Sequence, residues 1–213
     1  MEASAGANVT AHSWSVYSGL TSTIGGSLRE NGWRIRVGGG HGAYSYSSTR
    51  WTGRDVIVVP FDGTVTFADA LIGYQQQWGN LTLKAFAGAA AQHNSVTPVD
   101  IESSVRGSRV GAKGAIEAWL NVGTSAFAQL DVNYTTLYDT YASRLRFGYR
   151  ITPQLSVGPE AGLSGNIDYD SGHVGGFVRY EGALGEISIS AGGAGDRSEV
   201  TGGYATINAL VRF

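Results

Sequence analysis

The chain has no cysteine, four prolines and one methionine among its 213 residues. The missing cysteines exclude a disulfide scaffold and any Cys-ligated zinc or iron–sulfur centre. Charge is scarce: 15% of the residues are Asp, Glu, Lys or Arg, against ~25% in an average soluble domain. With 15 Lys+Arg against 17 Asp+Glu, the net charge is −2, so there is no basic excess to hold nucleic acid. No apolar run approaches the ~18 residues of a membrane helix; the longest is a short alanine-rich stretch around Ala85–Ala91. No 3.6-residue stripe is sustained either. The start, Met1-Glu2-Ala3-Ser4-Ala5, lacks a basic and an apolar leader segment and reads as an initiator Met placed on the mature part of an exported protein.

What the chain has is glycine, aromatics and a period of two. Glycine fills 32 positions and aromatics make up 11%, a composition that argues against disorder. In the last segment Ala205, Ile207, Ala209, Val211 and Phe213 alternate with Tyr204, Thr206, Asn208 and Arg212, leaving Leu210 as the exception. Leu145, Phe147, Tyr149 and Ile151 alternate with Arg144, Arg146, Gly148 and Arg150, and Trp33, Ile35 and Val37 with Arg34 and Arg36. Strict alternation of this kind marks half-buried β-strands.

Tight turns at Trp78–Asn80, Asn121–Ser125, Thr152–Gln154 and Gly185-Glu186 separate longer polar links. Those links are Ser47–Gly63, His93–Ser104, Tyr138–Ser143, Asp168–Gly172 and Gly195–Gly202. Short turns alternating with long links predict an antiparallel up-and-down transmembrane β-barrel, all-β and a single domain over 1–213. Eleven strands read directly, from 13–23 to 203–213, and barrels of this kind have an even number. Either Ala3–Ala11 or Arg54–Pro60 supplies the twelfth, with ten strands as the fallback; 1–11 is read as a first strand or as an N-terminal extension.

A soluble barrel would turn its apolar face inward, a membrane barrel outward. The apolar face carries Trp14, Trp33, Trp78, Tyr134, Tyr149 and Tyr180 toward strand ends, as interfacial aromatic girdles do. It is therefore assigned outward. The lumen then receives Arg34, Arg36, Lys84, Arg109, Lys113, Arg144, Arg146, Arg150, Arg179 and Arg212, with Asp69, Glu117, Asp131, Glu160 and Glu181 opposing them. Inward Gly38, Gly88, Gly111, Gly148, Gly158 and Gly162 are expected to make room for these long side chains. Two readings of the charges stand: a salt-bridged filling, since unpaired buried charge is costly, or an electropositive passage for anions.

Tyr44, Tyr46, Trp51, Tyr138, Tyr141 and Tyr169 on the presumed external side are candidates for sugar contact, with loop or girdle packing as the plainer role. Enzymatic chemistry finds little support. His12, His41, His93 and His173 are scattered, and no serine sits in a nucleophile-elbow pattern. Asp168, Asp170 and His173 share one link that could hold a cation weakly, although Asp-rich turns are usually only turns. The run Gly38-Gly39-Gly40-His41-Gly42 opens no helix and is rejected as a phosphate loop. No catalytic residue, metal site or cofactor is expected.

Specific stretches resemble a known family. Trp14-Ser15-Val16-Tyr17-Ser18-Gly19-Leu20, Asn31-Gly32-Trp33-Arg34-Ile35-Arg36-Val37 and Tyr44-Ser45-Tyr46 are similar to the start of the BcsS family of cellulose-biosynthesis proteins. Ala68–Gln75, Ala112–Leu120, Gly148–Pro153, Leu155–Glu160 and Phe177–Glu181 continue the likeness. The resemblance implies a non-enzymatic outer-membrane barrel that accompanies cellulose synthase, in polymer export or as a docking partner for the secretion machinery. It implies outer-membrane lipid as a partner, and cellulose or cellulose-secretion components as further ones. It transfers no catalytic residue. The alternative kept open by the basic lumen is a small anion-preferring channel.

Overall fold

The computed structural model describes residues 1–51, 53–196 and 200–213. Twelve strands follow one another without a helix: β1 (Glu2–Thr10), β2 (Ser13–Thr23), β3 (Gly32–Trp51), β4 (Val56–Trp78), β5 (Leu81–Thr97), β6 (Gly107–Val122), β7 (Ala126–Thr135), β8 (Thr140–Arg150), β9 (Leu155–Asn166), β10 (Tyr169–Gly182), β11 (Gly185–Gly195) and β12 (Val200–Arg212). Each pairs antiparallel with its sequence neighbours, and β1 pairs with β12 to close the barrel. Closure leaves no free edge around the barrel itself; above it, β3 beyond Ser45 and β4 before Asp62 pair only with each other. Ala3–Ala11 thus supplies the first strand, and Arg54–Pro60 is largely the start of β4.

The outward face is apolar in a defined band. On the β3–β6 wall, cross-strand rows run from Trp78–Leu81–Leu120 up to Gly39–Ala68–Ala91–Val110. On β4 that is the stretch from Ala68 to Trp78, the ~9–11 residues a tilted membrane strand needs. The next row up is His41–Thr66–His93–Ser108, where His41 Nδ1 meets Thr66 Oγ1 at 2.8 Å and His93 Nδ1 meets Ser108 Oγ at 2.8 Å. The change from Ala/Val to His/Thr/Ser marks the upper limit of the band. Trp14, Trp33, Trp78, Tyr134, Tyr149 and Tyr180 all lie exposed on the outward face.

Several of the expected long links are strand instead. Ser47–Trp51 extends β3, Val56–Gly63 opens β4, His93–Thr97 ends β5, and only two residues connect β9 to β10. Of the Gly195–Gly202 link, residues 197–199 lie outside the described residues. Above the band β3 and β4 therefore form a palisade taller than the 9 to 14 residue strands β7–β12 and β1–β2. In it the hydropathy pattern reverses phase: Tyr44, Tyr46 and Phe61 point inward while Ser45, Ser47 and Asp62 are exposed. Conversely, the β2–β3 connection, on the short-turn end that also carries both termini, is one of the longest in the chain (24–31).

Inward glycines accommodate aromatic rings more than charged side chains. Phe127 lies over its cross-strand partner Gly148, His173 over Gly162 and Phe67 over Gly40. Tyr17 lies over Gly6, where a Cβ would stand 2.6 Å from the ring. Such pairs fill the groove that a missing Cβ leaves and pin the register. Gly38 does border Asp69, whereas at Gly88 and Gly158 a Cβ would meet the neighbouring backbone.

Candidate functional site

The inward face alternates with the outward one on every strand, and all fifteen charged residues assigned to the lumen from the sequence lie on it. At mid-height they are paired. Glu117 takes Arg36 at 2.5 Å and Lys84 at 3.3 Å, Asp69 takes Lys113 at 2.5 Å, and Asp131 takes Arg144 at 2.8 Å. Glu160 is ion-paired with Arg146, accepts from Ser190 Oγ and Tyr204 OH at 3.0 Å each, and has His173 Nε2 at 3.7 Å. Both Glu160 and Arg146 are almost wholly buried. Guanidinium groups also lie on aromatic faces: Arg36 over Phe86 at 3.9 Å, Arg146 over Phe177 at 4.8 Å and Arg179 over Trp119 at 4.8 Å.

A cavity of about 410 Å³ occupies the middle of the lumen. Its lining includes Arg36, Lys84, Lys113, Arg144 and Arg146, and also Glu2, Asp69, Glu117, Asp131 and Glu186. Five bases thus face five acids. Around this cavity the bases are balanced, because Glu2 and Glu186 also point inward and Arg34, Arg109, Arg150, Arg179 and Arg212 stand outside its lining. The sequence pattern puts Glu186 in a tight turn, yet it pairs with Arg179 and approaches Arg212 at 3.9 Å, while Glu181 lies 3.1 Å from Arg179. Its even-numbered position in β11, in phase with Ser188 and Ser190, was the available signal.

The end with the termini is narrowed by the β2–β3 connection. Arg34 donates to the carbonyl oxygens of Ser27 (3.3 Å), Leu28 (3.3 Å) and Glu30 (2.5 Å), and Gln75 Nε2 donates to those of Leu28 and Glu30 at 3.3 Å each. The same end holds the stacked pair Trp119–Phe127, 4.2 Å between centroids, with Arg150 over Phe127 and donating to the carbonyls of Thr124 and Ala126.

At the distal end two connections fold into the mouth. Val105, from the β5–β6 connection, and Leu137 and Tyr138, from the β7–β8 connection, pack with inward Ala90 into a buried cluster. Tyr138 is 2% exposed, its hydroxyl donates to the carbonyls of Arg106 (2.7 Å) and Gly107 (3.1 Å), and Arg109 covers its ring at 4.3 Å. Asp168 clamps the β5–β6 connection by accepting from the backbone N–H of Ser104 (2.9 Å) and Val105 (3.3 Å). Against the palisade, Asp100 accepts from Tyr46 OH at 2.8 Å and pairs with Arg50. Burial alone would raise the Asp100 carboxyl; the bonds from Tyr46 and the Glu102 N–H, with the charge of Arg50, outweigh it and hold the group below its ordinary range. Burial first, then Asp100, pushes the Tyr46 phenol up to about 12.

The aromatic residues considered for sugar contact separate accordingly. Tyr44, Tyr46 and Phe61 stack on one another inside the palisade at 6.2 and 5.1 Å, Tyr138 belongs to the plug, and the Tyr141 hydroxyl donates to Asp170 at 2.5 Å. Trp51 and Tyr169 remain exposed, at 69% and 57%. Asp168, Asp170 and His173 do not converge: the first clamps the plug, the second bonds Tyr141 and the third faces Glu160. No group of three metal-ligating side chains forms among the described residues.

This architecture matches solved outer-membrane barrels across nearly their whole lengths. The KdgM porin aligns at TM-score 0.54 and 8% identity, over 100% of this chain and 99% of that one. The translocator domain of autotransporter NalP from Neisseria meningitidis aligns at 0.57 and 13%, over 100% and 87%, and LpxR from Salmonella typhimurium at 0.54 and 9%, over 100% of both. At such identities the likeness is one of fold. No curated protein sequence matches. The profile described as cellulose biosynthesis protein BcsS, however, matches residues 4–213, and the chain belongs to that family.

Proposed function

We propose that the protein spans the outer membrane with its termini on the periplasmic side and serves cellulose production without enzymatic chemistry, as a docking barrel for polymer or secretion components. The observation that carries this reading is the pair of connections packed into the distal mouth. A conduit for a glucan needs a continuous passage, and Leu137 and Tyr138, 3% and 2% exposed, occupy the point where a chain would leave. The apolar band and the aromatic girdle support lipid as its surroundings. Deleting the chain is expected to change the amount or surface attachment of cellulose; unchanged cellulose overturns the reading.

The anion channel is less well supported, because the mid-height bases are matched by carboxylates. Planar-bilayer recordings separate the two. The docking reading expects no steady current from the intact protein, and an anion-selective current reduced by charge reversal at Arg146 or Arg150 would restore the channel.

A further inference from the structure

The palisade is left with an outward face that closing a barrel does not explain. From Thr66 to Val56, β4 runs about 33 Å at ~3.3 Å per residue, beyond the apolar band, so acyl chains do not cover it. Its middle is hydroxyl-rich: Ser45, Ser47 and Thr49 on β3 and Ser95 and Thr97 on β5 are all exposed. At its tip Trp51 pairs with Val56 and Thr49 with Val58, and the two valines are 61% and 69% exposed. Asp62 is the one charged residue among the outward strand positions of β3, β4 and β5 between the His41–Thr66–His93 row and the tip.

We infer that this outward palisade face binds a neutral, extended glucan chain, with Trp51 as a stacking platform and the Ser/Thr rows as hydroxyl partners. The inference rests on the cellulose reading above and names where the polymer would touch. Charge decides the class of occupant. Phosphorylated saccharide of the outer leaflet demands cations, and this face offers a lone carboxylate; a neutral polyol requires none. Small hydroxyl side chains on a sheet give a regular lattice of donors and acceptors, and a tryptophan offers a large flat apolar ring with a polar edge. The aliphatic tip covers the C–H faces of the sugar rings beside it.

The test uses the full chain in detergent micelles, sedimented with microcrystalline cellulose and titrated with cellohexaose. Wild type and Trp78→Ala, an exposed tryptophan at the foot of the apolar band, are expected to bind alike. Trp51→Ala and Thr49→Glu are expected to bind at least tenfold more weakly, with heat-modifiable gel migration unchanged. The inference is overturned if wild type binds neither probe or if both palisade variants bind as wild type does. It is also overturned if the palisade proves to be a contact between two copies, read as a dimer that Trp51→Ala dissolves. Cellulose yield in cells lacking the chain is scored separately. An unchanged yield with glucan binding intact sinks the cellular role and leaves the binding face standing.

Discussion

Glu160→Ala tests whether the charged lumen behaves as a protein interior or as a wet channel. The side chains of Arg146 and Glu160 are 3% and 1% exposed. Removing the carboxylate strands Arg146 with the hydroxyls of Ser190 at 2.8 Å and Ser188 at 3.5 Å, and removes the acceptor of Tyr204. At ~4 Å and an effective dielectric of ~20, two unit charges attract by about 4 kcal/mol, and breaking a buried pair from one side typically costs about 3–5 kcal/mol. Urea unfolding in micelles at neutral pH, followed by tryptophan emission and gel migration, is expected to show a loss of that size. Replacing both partners, Arg146→Met with Glu160→Leu, is expected to cost less than the single change, because neither leaves a buried charge behind. A Glu160→Ala loss below about 1 kcal/mol, the value of a solvated surface pair, would refute the reasoning and make the lumen a water-filled space.

Three further outcomes follow from the same contacts. Leu137→Gly with Tyr138→Gly empties the distal plug and is expected to give bilayer current where wild type gives none; adding Arg34→Ala, which frees the β2–β3 connection, should increase it, and silence in the triple variant counts against the plug. Gly148→Val places a Cβ in the Phe127 ring and is expected to prevent folding, whereas Phe127→Ala folds with a loss of about 3–5 kcal/mol, both read by heat-modifiable migration. The lowered Asp100 carboxyl stabilises the β5–β6 clamp above the ordinary carboxylate range near ~4, and that contribution is lost as pH falls through the lowered value. Proteolysis of the β5–β6 connection by an acid-active protease should therefore rise on acidification in wild type and already be high in Asp100→Asn.

The barrel was legible because alternation is a property of the strand itself. Arg144, Arg146 and Arg150 against Leu145, Phe147 and Tyr149 fix both faces of β8 without any knowledge of its neighbours. The palisade was harder to see because leaving the apolar band inverts the pattern: in Ala43-Tyr44-Ser45-Tyr46-Ser47 the aromatics turn inward and the hydroxyls outward. By the band's own rule the strand ends there, and Ser47–Gly63 looks like a polar link. The phase change at Tyr44 was the missing signal. The plug was illegible for a different reason. Val105, Leu137 and Tyr138 lie in connections far apart in sequence, and nothing local says that a connection folds into a mouth instead of away from it. Pairing between non-adjacent strands, such as Lys113 of β6 with Asp69 of β4 across β5, likewise depends on the strand order and register, which no single strand shows.

The interior charges and the palisade divide the work between them. A strand shifted by one residue sends its whole inward set outward. For β8 that would carry Arg144, Arg146 and Arg150 into the apolar band, where a basic side chain costs about 2–4 kcal/mol near the midplane. Correct register instead gives Asp131 to Arg144, Glu160 to Arg146 and the carbonyls of Thr124 and Ala126 to Arg150. Charge inside the barrel is therefore accounted for by the need to select one closure, and it calls for no transported ion. The exposed, outward Ser45, Ser47, Thr49, Trp51, Ser95 and Thr97 receive no such explanation: they face away from the lumen and lie beyond the acyl chains. What barrel formation leaves unexplained is where selection for a partner is expected to act, and in this chain that is the outer face of β3–β5.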